Sequence, residues 1–210
     1  MIRGTPQPTP EVIVRPSVIR APPVRRPFTI SYEVEVVNLR TGKRVCAKGD
    51  LFTNNFDRFI QLVFTNVKYG TSVTITGFVD VSGTSRSLIV GHASYCWDYA
   101  YDHSREWFIR VGKGSGTPST SDYELFDFVQ HGKLTFAGTS LGDTEAVVEL
   151  KAGMSATTTY DITELGLTLG CPDSNDVYSY FMLTHDVLPE AVHVDEGDGF
   201  TAMYRFRFTW

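Results

Sequence analysis

The sequence predicts an all-β protein: an antiparallel, jelly-roll-like β-sandwich with one short amphipathic helix and an extended N-terminal arm. Three observations support this prediction: apolar and polar residues alternate in the first and last segments of the body, short β-prone segments are separated by Gly, Ser, Asp and Pro, and helical spacing occurs in one segment. We expect two parts, an arm over residues 1–27 and one sandwich domain over residues 28–210.

The arm combines proline with positive charge. It holds seven of the ten prolines, and since proline fixes φ and removes an amide donor, the arm is predicted to be extended and polyproline-like. Five arginines against one glutamate give it a formal charge of +4 and leave −9 on the rest of the chain. The acidic face of a neighbouring subunit is therefore favoured as its partner over nucleic acid or an anionic membrane.

The apolar residues of the arm favour a strap that becomes ordered on another surface over a simple disordered tail. The arm residues predicted to make this contact are Arg3, Val12, Val14, Arg15, Val18, Arg20, Arg25 and Arg26.

Two segments show a clear strand pattern, and one shows a helix pattern. The first strand begins near Phe28 and the last fills residues 200–210, each with alternate residues apolar. Helical spacing at about residues 53–64, with Thr53 or Asn54 as a possible cap, predicts a helix that closes one end of the sandwich. Further strands are predicted at 73–81, 87–93, 107–111, 133–137, 145–150, 157–169 and 178–188.

Composition narrows the class of protein. A hydrophobic fraction of 42% is enough to form a true core. No apolar run reaches the roughly 18 residues of a membrane span, and residues 1–27 lack the apolar centre of a secretory signal. We therefore expect a soluble protein that is made inside a cell.

The cysteines and histidines predict no metal site. Cys46, Cys96 and Cys171 are far apart, so buried thiols are the default, while a Cys96–Cys171 or Cys46–Cys171 bridge stays open. The five histidines show no metal-ligand spacing. Residues 195–199 bunch acidic groups and glycines, but a hairpin turn needs the same residues, so a turn is favoured over a calcium site.

The glycine-rich segment 111–119 is not predicted to bind phosphate. A phosphate-binding loop needs Gly-Lys-Ser/Thr running into a helix, and here Lys113 is followed by Gly114 and then by β-prone sequence. Motifs for nucleophilic, metal-dependent or paired-carboxylate catalysis are also lacking. The sequence therefore predicts no catalytic, metal-binding or cofactor-binding residues and no enzymatic activity.

One aromatic cluster is unusual enough to be a candidate contact site for a receptor or partner. Its alternate aromatic residues suit sheet packing, a protein interface or a glycan-binding platform, and the sequence leaves these three readings open. The cluster consists of Tyr95, Trp97, Tyr99, Tyr101 and Trp107.

An ordered series of segments over most of residues 50–210 resembles structural proteins of tailed-phage and archaeal-virus particles. The segments are LFTNNF at 51–56, VGKGSGTPSTSDYEL at 111–125, ITELGL at 162–167, the strand at 180–187, and VHVDEGD at 192–198 before the last strand. The resemblance implies a capsid, decoration, turret or tail component, and it brings no catalytic residues.

These observations together predict a virion structural protein, made in the host cytoplasm, that forms a homo-oligomer through its sandwich surfaces and its arm. Copies of itself and other virion proteins are the expected partners, with no small-molecule substrate and nucleic acid only through the basic arm. The alternatives are a receptor- or glycan-binding spike domain and an extracellular filament subunit that exchanges an N-terminal strand.

Overall fold

The structure, a computed structural model, describes residues 28–49, 51–64, 72–91 and 106–210, and the arm lies outside these ranges. In the described part the elements are, in chain order, β1 (Thr29–Asn38), β2 (Arg44–Gly49), α1 (Asn54–Phe64), β3 (Ser72–Val79), β4 (Ser85–Gly91), β5 (Glu106–Gly112), β6 (Phe128–Lys133), β7 (Thr135–Leu141), β8 (Glu145–Ser155), β9 (Tyr160–Pro172), β10 (Tyr178–Met182), β11 (Asp186–Val194) and β12 (Gly199–Thr209). The predicted fold class, an antiparallel β-sandwich with one helix, is confirmed.

Five strands form sheet I, in the order β2-β1-β12-β8-β7. The first and last described strands pair with each other, from Thr29 opposite Thr209 to Asn38 opposite Phe200. Strand β12 also pairs along its whole length with β8. The alternation predicted for both strands is confirmed, because each strand buries one set of side chains and leaves the other set on the outer face.

Sheet II has β9 at its centre. Strand β5 pairs with one side of β9, and β6 pairs with the outer side of β5. Strands β10 and β11 pair in succession with β9, β10 with its C-terminal part and β11 with its N-terminal part. Strands β3 and β4 form a separate two-stranded sheet.

The inner face of sheet II is covered by two different partners. Sheet I packs against one half, and the buried side chains there include Tyr32, Val34, Ile109, Val111, Ile162, Leu165, Phe200 and Tyr204. The β3–β4 hairpin packs against the other half, with Ile75, Phe78, Leu88, Leu169, Phe181 and Leu183 buried and Phe56 and Phe59 of α1 packed beside them. A seam therefore runs between sheet I and the helix–hairpin unit.

A polar tie crosses the main core. Asp186 on β11 is 5% exposed, and its two carboxyl oxygens lie 2.9 Å from the Tyr32 hydroxyl and 3.0 Å from the Tyr204 hydroxyl. Burial raises the pKa of Asp186 to about 7, against the hydrogen bonds from the two tyrosines. The tie joins sheet II to the neighbouring strands β1 and β12 of sheet I.

Several predicted boundaries are wrong. The segment predicted as one strand at 178–188 is two strands separated by residues 183–185, and the segment at 133–137 spans the end of β6 and the start of β7. Strand β2 was not predicted. Thr53 precedes α1, but its hydroxyl donates to the carbonyl of Met182 at 2.6 Å, so it fastens the helix to β10. Within the described residues, no helix is long and apolar enough to cross a membrane.

Candidate interaction surfaces

The glycine-rich loop after β5 is wrapped around a buried carboxylate. Glu164 on β9 is fully buried, and its Oε1 accepts the backbone N–H groups of Gly114 and Asp127, each at 2.8 Å. Its Oε2 accepts the N–H of Phe126 at 2.9 Å. A Cβ at Gly112 or Gly114 would lie within 2.4 or 2.5 Å of Oε1, so the close approach requires glycine at both positions. The backbone N–H groups of Gly114, Phe126 and Asp127 thus donate to Glu164 and are not free to bind a phosphate.

His185 connects this loop to sheet II. Its ring is fully buried, with Nε2 3.0 Å from Glu164 and Nδ1 2.7 Å from Asp122. Burial alone lowers the pKa of His185, but the hydrogen bonds to Glu164 and Asp122 outweigh it and raise the pKa. Burial alone raises the pKa of Glu164, but the bonds from His185 and from the loop amides outweigh it and lower the pKa. The anchored loop, residues 113–127, covers part of the outer face of sheet II.

Beside the loop, the outer face of sheet II carries a continuous cluster of rings, which we call the aromatic face. Its neighbouring ring centroids lie 4.9 to 6.2 Å apart, in edge-to-face, tilted and stacked arrangements. A Cβ at Gly170 would lie 2.8 Å from the Tyr178 hydroxyl and 3.1 Å from the ring of Phe108, so these rings lie directly over the backbone of β9. The aromatic face consists of Phe108, Phe128, His131, Tyr178 and Tyr180.

Arg110 joins the aromatic face to the loop. Its guanidinium carbon lies 3.8 Å from the centre of the Phe128 ring and 6.0 Å from that of Tyr180. The same guanidinium binds both carboxyl oxygens of Glu124, at 3.1 and 2.5 Å. Arg110 is buried and contacts both Phe128 and Glu124, so its position beneath the rings is fixed.

Part of this side of the molecule remains open to solvent. Phe128 is 37% exposed and Tyr178 is 40% exposed, and Phe126 on the neighbouring loop is 46% exposed. Glu106 and Lys133 form an ion pair at 2.5 Å near the rings, and the Tyr178 hydroxyl donates to Glu106 at 3.3 Å. A set of large exposed rings with a polar border is the usual composition of a recognition surface.

The outer face of sheet I is built differently. Arg205 on β12 stands directly opposite Glu33 on β1 and Glu149 on β8, and it binds them at 3.5 and 2.6 Å. Arg207 binds Glu145 at 2.8 Å, and Arg44 binds Glu35 at 2.9 Å. These cross-strand pairs satisfy one another, so this face is suited to water.

An apolar cleft of about 470 Å³ opens at the seam between sheet I and α1. Sheet I contributes Ile30, Val148, Leu150, Phe206 and Phe208, and Phe28 adjoins them at the start of β1; the opposite side is lined by Phe56, Phe59, Ile60, Trp107, Leu167 and Leu183. Among the described residues, only apolar side chains line it, and Phe28 is the residue at which the arm joins the body.

Of the aromatic residues proposed from the sequence as receptor contacts, only Trp107 is described. It lies on the inner side of β5, lines the cleft, and meets Phe59 edge to face at 5.3 Å. Tyr95, Trp97, Tyr99 and Tyr101 lie outside the described residues, as do all the proposed arm contacts. The aromatic face was missed, although the alternation of Phe108 and Arg110 with Trp107 and Ile109 gave a signal for its first strand.

Two of the three cysteines and the acidic turn at residues 195–198 are described by the structure. Cys46 is an exposed free thiol and Cys171 is disulfide-bonded, so the default of buried thiols is wrong for both and the Cys46–Cys171 pairing is excluded. Residues 195–198 form the turn between β11 and β12, as predicted. Arg40 binds Asp198 at 2.6 Å, and this bond, with others, lowers the pKa of Asp198 to about 2.

Comparison with known protein families, with curated proteins and with solved structures finds no match to this chain.

Proposed function

We propose that this chain is a structural subunit of a virus particle, a capsid, decoration, turret or tail component, that acts by assembly and not by catalysis. The observation that carries the proposal is the aromatic face. Large rings with little rotamer freedom bury much area at a small entropic cost, and such residues dominate the energetics of protein interfaces. On the outer face of sheet I, by contrast, Arg44, Arg205 and Arg207 are paired with carboxylates.

The anchored loop supports this role of the aromatic face. Glu164 and His185 hold residues 113–127 onto sheet II, and Arg110 holds Phe128 from below. A surface that is fixed before binding loses little conformational freedom on association, which favours tight and repeated contacts. Repetition of one such contact around a symmetric oligomer would give a closed assembly.

The virion setting is supported by the ordered series of sequence segments described above. The arm, residues 1–27, would add a second contact to a neighbouring subunit, with its +4 charge against the −9 of the body. The protein would be made in the host cytoplasm and would function in the particle.

The test is the native mass of the full chain compared with that of a Phe128→Ser, Tyr178→Ser double variant. We expect the dissociation constant of the assembly to rise at least about tenfold for each ring removed. Leu141→Ser is the matched control, because Leu141 is an exposed apolar residue at the end of β7 in sheet I. Unchanged assembly of the double variant would refute this role of the aromatic face.

A second candidate function, receptor or glycan binding, is favoured by one feature of the same surface. Tyr178 and His131 are exposed beside the Glu106–Lys133 ion pair, and sugars are recognised by a ring face flanked by polar groups. Binding on a glycan array that disappears in Tyr178→Ser, and persists in Leu141→Ser, would support it. Silence across the array would count against it.

A further inference from the structure

We infer that the apolar cleft of one subunit receives the apolar stretch of the arm, residues 12–19, from a second copy of this chain. The inference rests on the proposed assembly function and adds to it the site on the body and the segment that fills it.

The cleft matches this segment in chemistry. The side chains that line it in the described part of the chain are all apolar, and it opens between the sheet I residues Phe206 and Phe208 and the helix residue Ile60. Filling it would remove several aromatic and aliphatic side chains from water together, which is the main driving force of association. The arm provides suitable side chains in Val12, Ile13, Val14, Val18 and Ile19.

The length and stiffness of the arm indicate a second copy as the donor. The cleft begins at Phe28, but the apolar stretch ends nine residues earlier, at Ile19. In a polyproline conformation of about 3.1 Å per residue, residues 12–19 would lie about 28 to 50 Å from Phe28. A body of this size has a radius of gyration of about 16 Å. An extended arm would therefore carry residues 12–19 away from its own cleft and towards a neighbouring copy.

Residues 20–27, which join the apolar stretch to the body, oppose a sharp reversal of the chain. Residues 20–27 contain Pro22, Pro23 and Pro27. Proline restricts both its own backbone and that of the residue before it, so this spacer resists the reversal that insertion into its own cleft would need. The same spacer carries Arg20, Arg25 and Arg26, which would meet the acidic body of the neighbour.

The test uses two full-length variants, each of which damages one side of the contact. Ile60→Asp places a charge in the cleft, and a triple variant changes Val12, Val14 and Val18 to Ser in the arm. Each is expected to raise the dissociation constant of the assembly at least about tenfold. Combining the two should cause little further loss, because both remove the same contact.

Mixing the two variants shows whether the arm that fills a cleft comes from a second copy or from the same chain. The arm variant keeps an intact cleft and the cleft variant keeps an intact arm, so an equimolar mixture should regain assembly if the contact joins two copies. Leu141→Asp is the control for a new surface charge, and circular dichroism with thermal unfolding checks the fold of every variant. The arm variant alters no described residue, so it still tests the inference if Ile60→Asp does not fold.

Normal assembly of the arm variant, or of a folded Ile60→Asp variant, would overturn the inference. So would a mixture that fails to regain assembly. If these variants assemble normally while the Phe128→Ser, Tyr178→Ser variant does not, the proposed function stands and the cleft inference falls. A full chain that stays monomeric at every concentration removes both.

Discussion

The outward-facing side chains of the two sheets are arranged in different ways. On sheet I, Arg205 and its neighbours pair with carboxylates across the strands, so water is an adequate partner for that face. On sheet II, aromatic rings lie over Gly170 of β9 and the anchored loop covers another part of the face, while Phe128 and Tyr178 stay partly exposed. Within one sandwich, the charged groups of one outer face are thus paired with each other, while large rings of the other face remain partly open to solvent.

The largest effect is expected from the carboxylate that anchors the loop of sheet II. Glu164→Gln keeps the shape of the side chain but puts an NH₂ group where the carboxylate accepted backbone or histidine hydrogens. A buried partner is thereby lost, and we expect a destabilisation of about 3 kcal/mol in urea unfolding. A loss below about 1 kcal/mol would contradict the anchoring role.

The same anchor predicts how stability responds to acid. The pKa of Glu164 is lowered in the folded state, so its contribution is present above the unfolded value of about 4.3 and is lost as the pH falls through the folded value. The wild type should therefore lose more stability than Glu164→Gln below about pH 4. Parallel curves for the two proteins would contradict this account.

A second buried carboxylate, Asp186, differs from Glu164 because its pKa is shifted in the opposite direction. The Tyr32 hydroxyl lies 2.8 Å from the carbonyl of Leu51 as well as 2.9 Å from Asp186. One hydroxyl proton cannot be donated to both oxygens at once, so the Tyr32 hydroxyl stabilises the ionised form of Asp186 only in part. This arrangement agrees with the raised pKa of about 7. Donors surround Glu164, whereas one of the two hydroxyl groups beside Asp186, that of Tyr32, has a second acceptor.

Asp186→Asn tests this arrangement through pH. The raised folded pKa means that the contribution of Asp186 is full below the unfolded value of about 3.9 and is lost as the pH rises through about 7. The wild type should lose stability relative to Asp186→Asn by up to about 1.4 kcal/mol per pH unit in that window. Urea unfolding at several pH values measures the difference, and a constant difference would contradict the prediction.

The smallest effect is expected on the outer face of sheet I. Arg205→Met keeps much of the alkyl packing and removes the bonds to Glu33 and Glu149. Exposed pairs of this kind contribute about 0 to 1 kcal/mol, and salt screens them. The unfolding free energy should therefore fall by less than about 1 kcal/mol, with a smaller difference in 1 M NaCl. Loss of assembly in this variant would break the contrast between the two faces.

Particular residues show what the sequence could predict. Strands β1 and β12 were predictable because each buries one of two alternating sets of side chains, a pattern that is local to the segment. Strand β2 was missed because its six residues, RVCAKG, include two cations and give too little alternation. Strand β6, FVQHGK, is similarly short and polar.

The site could be predicted only in part, because its contacts are distant in sequence. Glu164 lies within a recognisable strand, but its burial depends on amides 37 to 50 residues away, so no local pattern reports it. The aromatic face needs four strands in the order β6-β5-β9-β10, and that order was not given by the spacing of any segment.

The proposed role of the aromatic face in assembly is tested most directly by hydroxyl-radical footprinting, read by mass spectrometry, of the full chain at concentrations above and below the one at which it is expected to assemble. We predict that labelling of Phe128 and Tyr178 falls several-fold on assembly, while labelling of Leu141 on sheet I stays the same. Equal labelling of Phe128 and Tyr178 in the two states, or protection of Leu141 instead, would contradict it.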